Sequence, residues 1–110
     1  MDEIIGKVLK NEKDEEYVVL EYLEYKDIPC VYAMKVCDNK EAQKTFLELD
    51  KKDKLSLISI NSKKMLTGLT NKMFKDSKDN NPRKINEDES IAEYLNYLDE
   101  FYKSHSVTVL

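Results

Sequence analysis

A chain of 110 residues, 41% apolar and 36% charged, has room for one domain around one core and too little for two. No apolar run approaches the ~18 residues that span a bilayer, and no charged start followed by an apolar stretch reads as a secretion signal, so a cytoplasmic protein is expected. The basic side chains are 17 Lys and a single Arg, Arg83, which leaves little for bidentate recognition of phosphates or guanine edges.

Residues 4–10 alternate Ile4, Gly6, Val8 and Lys10 with Ile5, Lys7 and Leu9, and a first strand is predicted there. The polar run 11–16 is a turn. Residues 17–36, YVVLEYLEYKDIPCVYAMKV, are the firmest structural signal in the chain, because Val, Tyr, Ile and Leu crowd two halves separated by Lys26 and Asp27. They predict a hairpin of strands 16–25 and 28–37. A two-residue loop opposes Leu23 to Cys30 and Glu21 to Tyr32, whereas an odd-length loop opposes Tyr22 to Tyr32 and Leu20 to Met34 and gives the cleaner apolar face. Lys-Asp lacks the Gly of a tight primed turn, so a bulge near Lys26 to Pro29 is expected.

Cys30 and Cys37 lie about 23 Å apart along such a strand and point to opposite faces. A disulfide, which needs Cα atoms within about 7 Å, is excluded, and two reduced thiols are expected. After a polar turn at 38–41, strands are predicted at 45–49 and 55–60, divided by the charged run 50–54. Five strands in close succession favour an antiparallel meander.

The apolar period then changes. From Asn61 or Ser62, both good N-caps, Met65, Leu66, Leu69 and Met73 recur at helical spacing and predict a helix over 62–74, weakened by Gly68. Residues 75–86 carry no such pattern and include the turn-forming Asn81-Pro82; a mobile loop is expected. Asn86 and Glu89 have capping-box spacing, and Ile91, Tyr94, Leu95, Leu98, Phe101 and Tyr102 trace one face of a helix over 87–104. The alternating residues 106–110 fit an edge strand or a tail. The expected architecture is α+β, a five-stranded antiparallel sheet packed against two C-terminal helices.

Catalysis has little to work with. The single histidine, His105, stands near a helix end, and one His with two divergent Cys makes no zinc site. The acidic runs 14–16 and 87–89 lack the spaced ligands and Gly of a calcium loop. Two glycines cannot build a phosphate loop, and no serine sits in a glycine-flanked elbow. A non-catalytic protein without metal or cofactor is therefore expected.

Charge is segregated. Residues 1–49 carry net −5, residues 50–84 net +6 and residues 85–110 net −5. One reading is an anion or nucleic-acid site through Lys63, Lys64, Lys72, Lys75, Arg83 and Lys84; the plainer one is a solvated basic surface, since Phe74 is the only aromatic among them that could stack a base. On the last helix, Glu89, Glu93, Asn96 and Glu100 fall on a ridge opposite the apolar face, with Tyr97 at its border. An acidic ridge beside a tyrosine suits a basic partner, although a solvated helix face has the same pattern. Tyr22, Tyr25 and Tyr32 are assigned to core packing by default.

These features point to a small protein-binding module, an adaptor or inhibitor of another protein, a nucleic-acid-handling one being among the options, of the kind frequent among phage and mobile-element accessory genes. Glu89, Glu93, Tyr97 and Glu100 are its expected contact residues. Nucleic-acid binding through the basic middle and a homo-oligomer formed through an open sheet edge or uncovered face are the alternatives.

Overall fold

The computed structural model describes residues 2–36, 43–50, 52, 56–74 and 82–105. After a 3-10 turn at Asp2–Ile4 come five strands, β1 (Val8–Asn11), β2 (Glu16–Tyr25), β3 (Ile28–Lys35), β4 (Lys44–Leu49) and β5 (Ser56–Ser59). Two helices follow, α1 (Lys63–Phe74) and α2 (Ile91–His105). The α+β class and the strand meander match the sequence-based expectation. Cys37, Lys75, the segment 75–81 of the expected loop and residues 106–110 lie outside the described residues.

The sheet corrects one expectation, because it is a closed mixed barrel and not an open antiparallel sheet. Each strand pairs antiparallel with the next, and β1 then pairs parallel with β5 through Lys10↔Ser56 and Asn11↔Leu57. Parity demands this. In a five-stranded meander the first and last strands point the same way, so closing it on itself makes the seam parallel.

The hairpin register also differs from the favoured reading. Lys26 and Asp27 both have positive φ, 47° and 67°, and form a tight two-residue turn that opposes Tyr25 to Ile28 without any glycine. Asp tolerates the left-handed region better than most residues, which helps explain how the turn forms here. The bulge lies instead within β2, where the register shifts between Val19 and Glu21. From Tyr25 back to Glu21 the pairing is that of the two-residue loop, Leu23 opposite Cys30; beyond the shift Val19 faces Ala33 and Val18 faces Met34.

That extra residue lets one strand serve two cores. Tyr17, Val19 and Tyr22 turn into the barrel, which is filled by Leu9, Val31, Ala33, Leu47, Leu49 and Leu57 and plugged at one end by Ile4. Leu20, Leu23 and Tyr25 turn outward and join Cys30, Tyr32, Phe46 and Ile60 beneath Met65, Leu66 and Leu69 of α1 and Tyr94 and Leu98 of α2. Full burial of each large apolar side chain contributes about 1.5–3 kcal/mol, so both clusters are needed in so short a chain. Tyr32 stacks at a tilt on Phe46, ring centroids 4.9 Å apart. The three hairpin tyrosines are thus core or half-buried, and the helices lie together on the outer face.

The first predicted strand is shortened. Ile4–Lys7 is a turn, closed by Lys7 N–H donating to the Ile4 carbonyl at 3.0 Å, and Gly6 takes φ 88° there. α1 begins as expected, with Ser62 Oγ accepting from Met65 N–H at 3.2 Å. α2 starts later than expected, at Ile91, because the functioning capping box is Ser90 with Glu93: Glu93 N–H donates to Ser90 Oγ (3.1 Å) and Ser90 N–H to Glu93 Oε1 (3.2 Å). Asn86 and Glu89 close a turn ahead of it, Glu89 N–H donating to the Asn86 carbonyl at 3.1 Å. Buried Asp99 fastens α2 to β4, accepting from Lys44 N–H at 3.2 Å and pairing with Lys103 at 3.1 Å.

Gly68 has a reason to interrupt α1. A Cβ there would stand 2.2 Å from Cε1 and 2.6 Å from Cδ1 of the Tyr25 ring. Gly68→Ala is therefore expected to lower stability by about 1–2 kcal/mol despite its better helix propensity, and to raise it by about 1 kcal/mol in a Tyr25→Ala background. Urea unfolding of the four proteins of this cycle checks the reversal of sign.

Candidate functional site

The turn between β1 and β2 and the free ends of β3, β4 and β5 gather at one end of the barrel. Buried Asn11 organises that turn: its Oδ1 accepts from Lys13 N–H at 3.0 Å and Glu15 N–H at 2.9 Å, and its Nδ2 donates to Glu15 Oε1 at 2.9 Å. Glu15 in turn pairs with Lys35 at 2.5 Å, and Glu12 accepts from Ser59 Oγ at 2.6 Å. These partners hold both carboxyls below the ordinary carboxylate range, Glu15 chiefly through Lys35 and Glu12 chiefly through the Ser59 hydroxyl. The turn is thereby strapped across the barrel mouth.

Between this mouth and the first turns of α2 lies a cleft of about 580 Å³. Phe46, Leu47 and Ile60 form its floor, Ile91, Ala92 and Leu95 its helical wall, and Lys13, Lys35, Gln43, Asn61 and Asn96 much of its polar border. Gln43 Nε2 donates to Asn96 Oδ1 across one end. There is no carboxylate, imidazole or thiol among the described residues that line it. Among the described residues no group of three or more His, Cys, Asp or Glu is placed to hold a metal ion. A lining of this kind has room for an apolar group and amides and lysines to orient it.

The residues singled out in the sequence divide into two sets. Glu93 and Glu100 are exposed on α2, flanking the exposed Ala92 and Asn96 of the cleft wall, and Tyr97 sits half-buried at the border as expected. Glu89 precedes the helix and is already engaged. Arg83 forks onto it, Nη1 to Oε1 at 2.8 Å and Nη2 to Oε2 at 2.7 Å, leaving the Glu89 side chain 10% exposed. The same guanidinium lies 4.2 Å from the Tyr97 ring centroid and 5.5 Å from that of Tyr94. Tyr97 Oη accepts from Arg83 N–H at 2.8 Å, and Tyr94 Oη donates to the Arg83 carbonyl at 2.6 Å.

Residues expected to contact two different partners are thus brought together in one internal clamp. Lys63 and Lys72 are diverted too: Lys63 donates to the carbonyls of Asn86 (3.4 Å) and Glu87 (2.5 Å), and Lys72 to that of Glu24 (2.7 Å). Lys64 and Lys84 are exposed. The cleft itself was not legible in the sequence, because its lining comes from residues spread between Lys13 and Asn96 with no shared spacing.

Two titrations follow from this geometry. The Arg83 fork, with the Asn86 N–H, holds Glu89 at about 2 against an ordinary 4.5, so the ionised form favours the fold above the ordinary value and this contribution is lost as pH falls toward about 2. Melts by circular dichroism between pH 7 and 2 should show Glu89→Gln less stable at neutral pH and less sensitive to acid below pH 4.5. Cys30 is fully buried, and burial first, then the Glu48 charge, pushes its thiol up to about 12 from 9.0. In a Cys37→Ser background, native Cys30 should react with a disulfide reagent at pH 8 roughly a thousandfold more slowly than the unfolded chain. Comparison with protein-family models, curated proteins and solved structures found no match.

Proposed function

We propose that this chain is a small non-catalytic protein-binding module, an adaptor or inhibitor that takes a segment of its partner along the outer side of α2. An apolar side chain of the partner enters the cleft beside Ala92 and Leu95, and basic residues flanking it lie over Glu93 and Glu100. The observation that carries this reading is the cleft's chemistry: an apolar floor and wall of about 580 Å³, bordered by amides and lysines, with no carboxylate, imidazole or thiol among the described residues that line it. Charge gives the segment a direction. Lys13 stands on the barrel side, where Lys35 is already paired with Glu15, and Glu93 and Glu100 stand on the helix side, so a segment with unlike charges at its two borders docks in one orientation.

Phosphate binding through residues 50–84 has weaker support, since Lys63, Lys72 and Arg83 are spent on carbonyls and on Glu89. Affinity capture from the source cells, followed by titration of the captured partner, tests the proposal. Ala92→Arg, which fills the cleft from an exposed position, and the double variant Glu93→Gln, Glu100→Lys should each weaken binding about tenfold or more, equal to about 1.4 kcal/mol. Partner binding unchanged in both variants would overturn it. Binding of mixed RNA and DNA that collapses between ~50 and ~200 mM salt would favour the basic segment instead.

A further inference from the structure

Among the described residues, the helices rest on the second half of β2, on β3 and on β4, and none lies over the outer wall of β1 and the start of β2. Val8 is 51% exposed there. Register places it in a row with half-buried Val18 of β2 and Met34 of β3, all on the outward face. The next outward row runs Lys10, Glu16, Val36: Lys10 lies opposite Glu16 in the strand register, and Val36 N–H donates to the Glu16 carbonyl at 2.8 Å, with Val36 46% exposed. An apolar row beside a row of unlike charges is an uncommon surface for water to keep.

We infer that this wall is the interface of a symmetric dimer of the chain. A two-fold axis running between β1 and β2, parallel to them, exchanges the two strands on facing copies. Val8 of one protomer then meets Val18 of its partner, and Lys10 meets Glu16. Every contact recurs in reverse, as an isologous interface requires. The same operation carries Met34 of each copy toward the far side of the other's β1, where a groove of about 590 Å³ runs along Val8, Lys10 and Ser56 beside the seam. The wall is thus complementary to itself in both apolar contact and charge, which singles out a second copy over a partner of one net charge. The closed barrel has no long open edge for strand exchange, so the face and not an edge makes the contact.

Light scattering behind size exclusion, at about 100 µM chain, tests the inference. The wild type is expected at twice 12.9 kDa. Val8→Asp should return it to 12.9 kDa with an unchanged circular dichroism spectrum, since the position is exposed. Lys10→Glu and Glu16→Lys should each weaken the dimer about tenfold or more, and the two together should restore it. A wild-type mass of 12.9 kDa across the accessible range, which would assign the wall to a different protein, overturns the proposal. So does a dimer indifferent to all of these changes.

Discussion

The architecture turns on one residue too many. β2 carries Leu20 between two registers, and that insertion reverses which side chains face inward along the rest of the strand. With strict alternation Tyr17 and Val19 would be followed into the barrel by Glu21 and Leu23, and Tyr22 would stand outside against the helices. The bulge instead sends Tyr22 inward and gives Leu23 and Tyr25 to the second core beside Leu20. A bulge also bends and twists its strand. That bending is what a five-stranded sheet requires in order to meet its own first strand, so the two cores and the closure share one cause.

The distribution of charge has a similar economy. The basic middle and acidic end of the chain are not two independent surfaces, because Arg83 is folded onto Glu89 and seated over Tyr94 and Tyr97. Only a planar fork can satisfy a carboxylate and lie against aromatic rings together, and a lysine cannot take its place. The single arginine of a lysine-rich chain is therefore spent on fixing residues 83–89 to α2.

Much of the secondary structure could be read from the residues. The strands of the hairpin, the apolar period of both helices and the Ser62 cap lie within a few positions of expectation, since each depends on neighbours in sequence. The failures have a common origin. The tight turn at Lys26-Asp27 adopts a conformation its side chains do not favour locally, because pairing of β2 with β3 imposes it. α2 begins after Ser90 and not after Asn86: Glu89 still accepts from Asn86 N–H at 3.2 Å, but the Arg83 fork holds that pair in a turn ahead of the helix, and Ser90 with Glu93 caps it. Closure of the barrel, the cleft and the tyrosine clamp all depend on contacts between distant segments, and no local pattern encodes them. The outward placement of Val8 was implicit in its alternation with Leu9, but that alternation does not say which face a helix will cover.

The parallel seam between β1 and β5 rests on two residue pairs and joins strands separated by most of the sheet's length in sequence. Closing a loop of that size carries an entropic penalty that the adjacent hairpins do not meet, so during folding the seam is the natural last event. Until it forms, the sheet is a curled ribbon with two raw edges and wet interior leucines, the stage at which a β-protein is most prone to pair with its neighbours. Both edges are only four residues long, and the first has Lys7 before it, Lys10 within it and Lys13 after it. The lysines around β1 therefore serve as guards of an unfinished barrel before they serve any surface of the finished one.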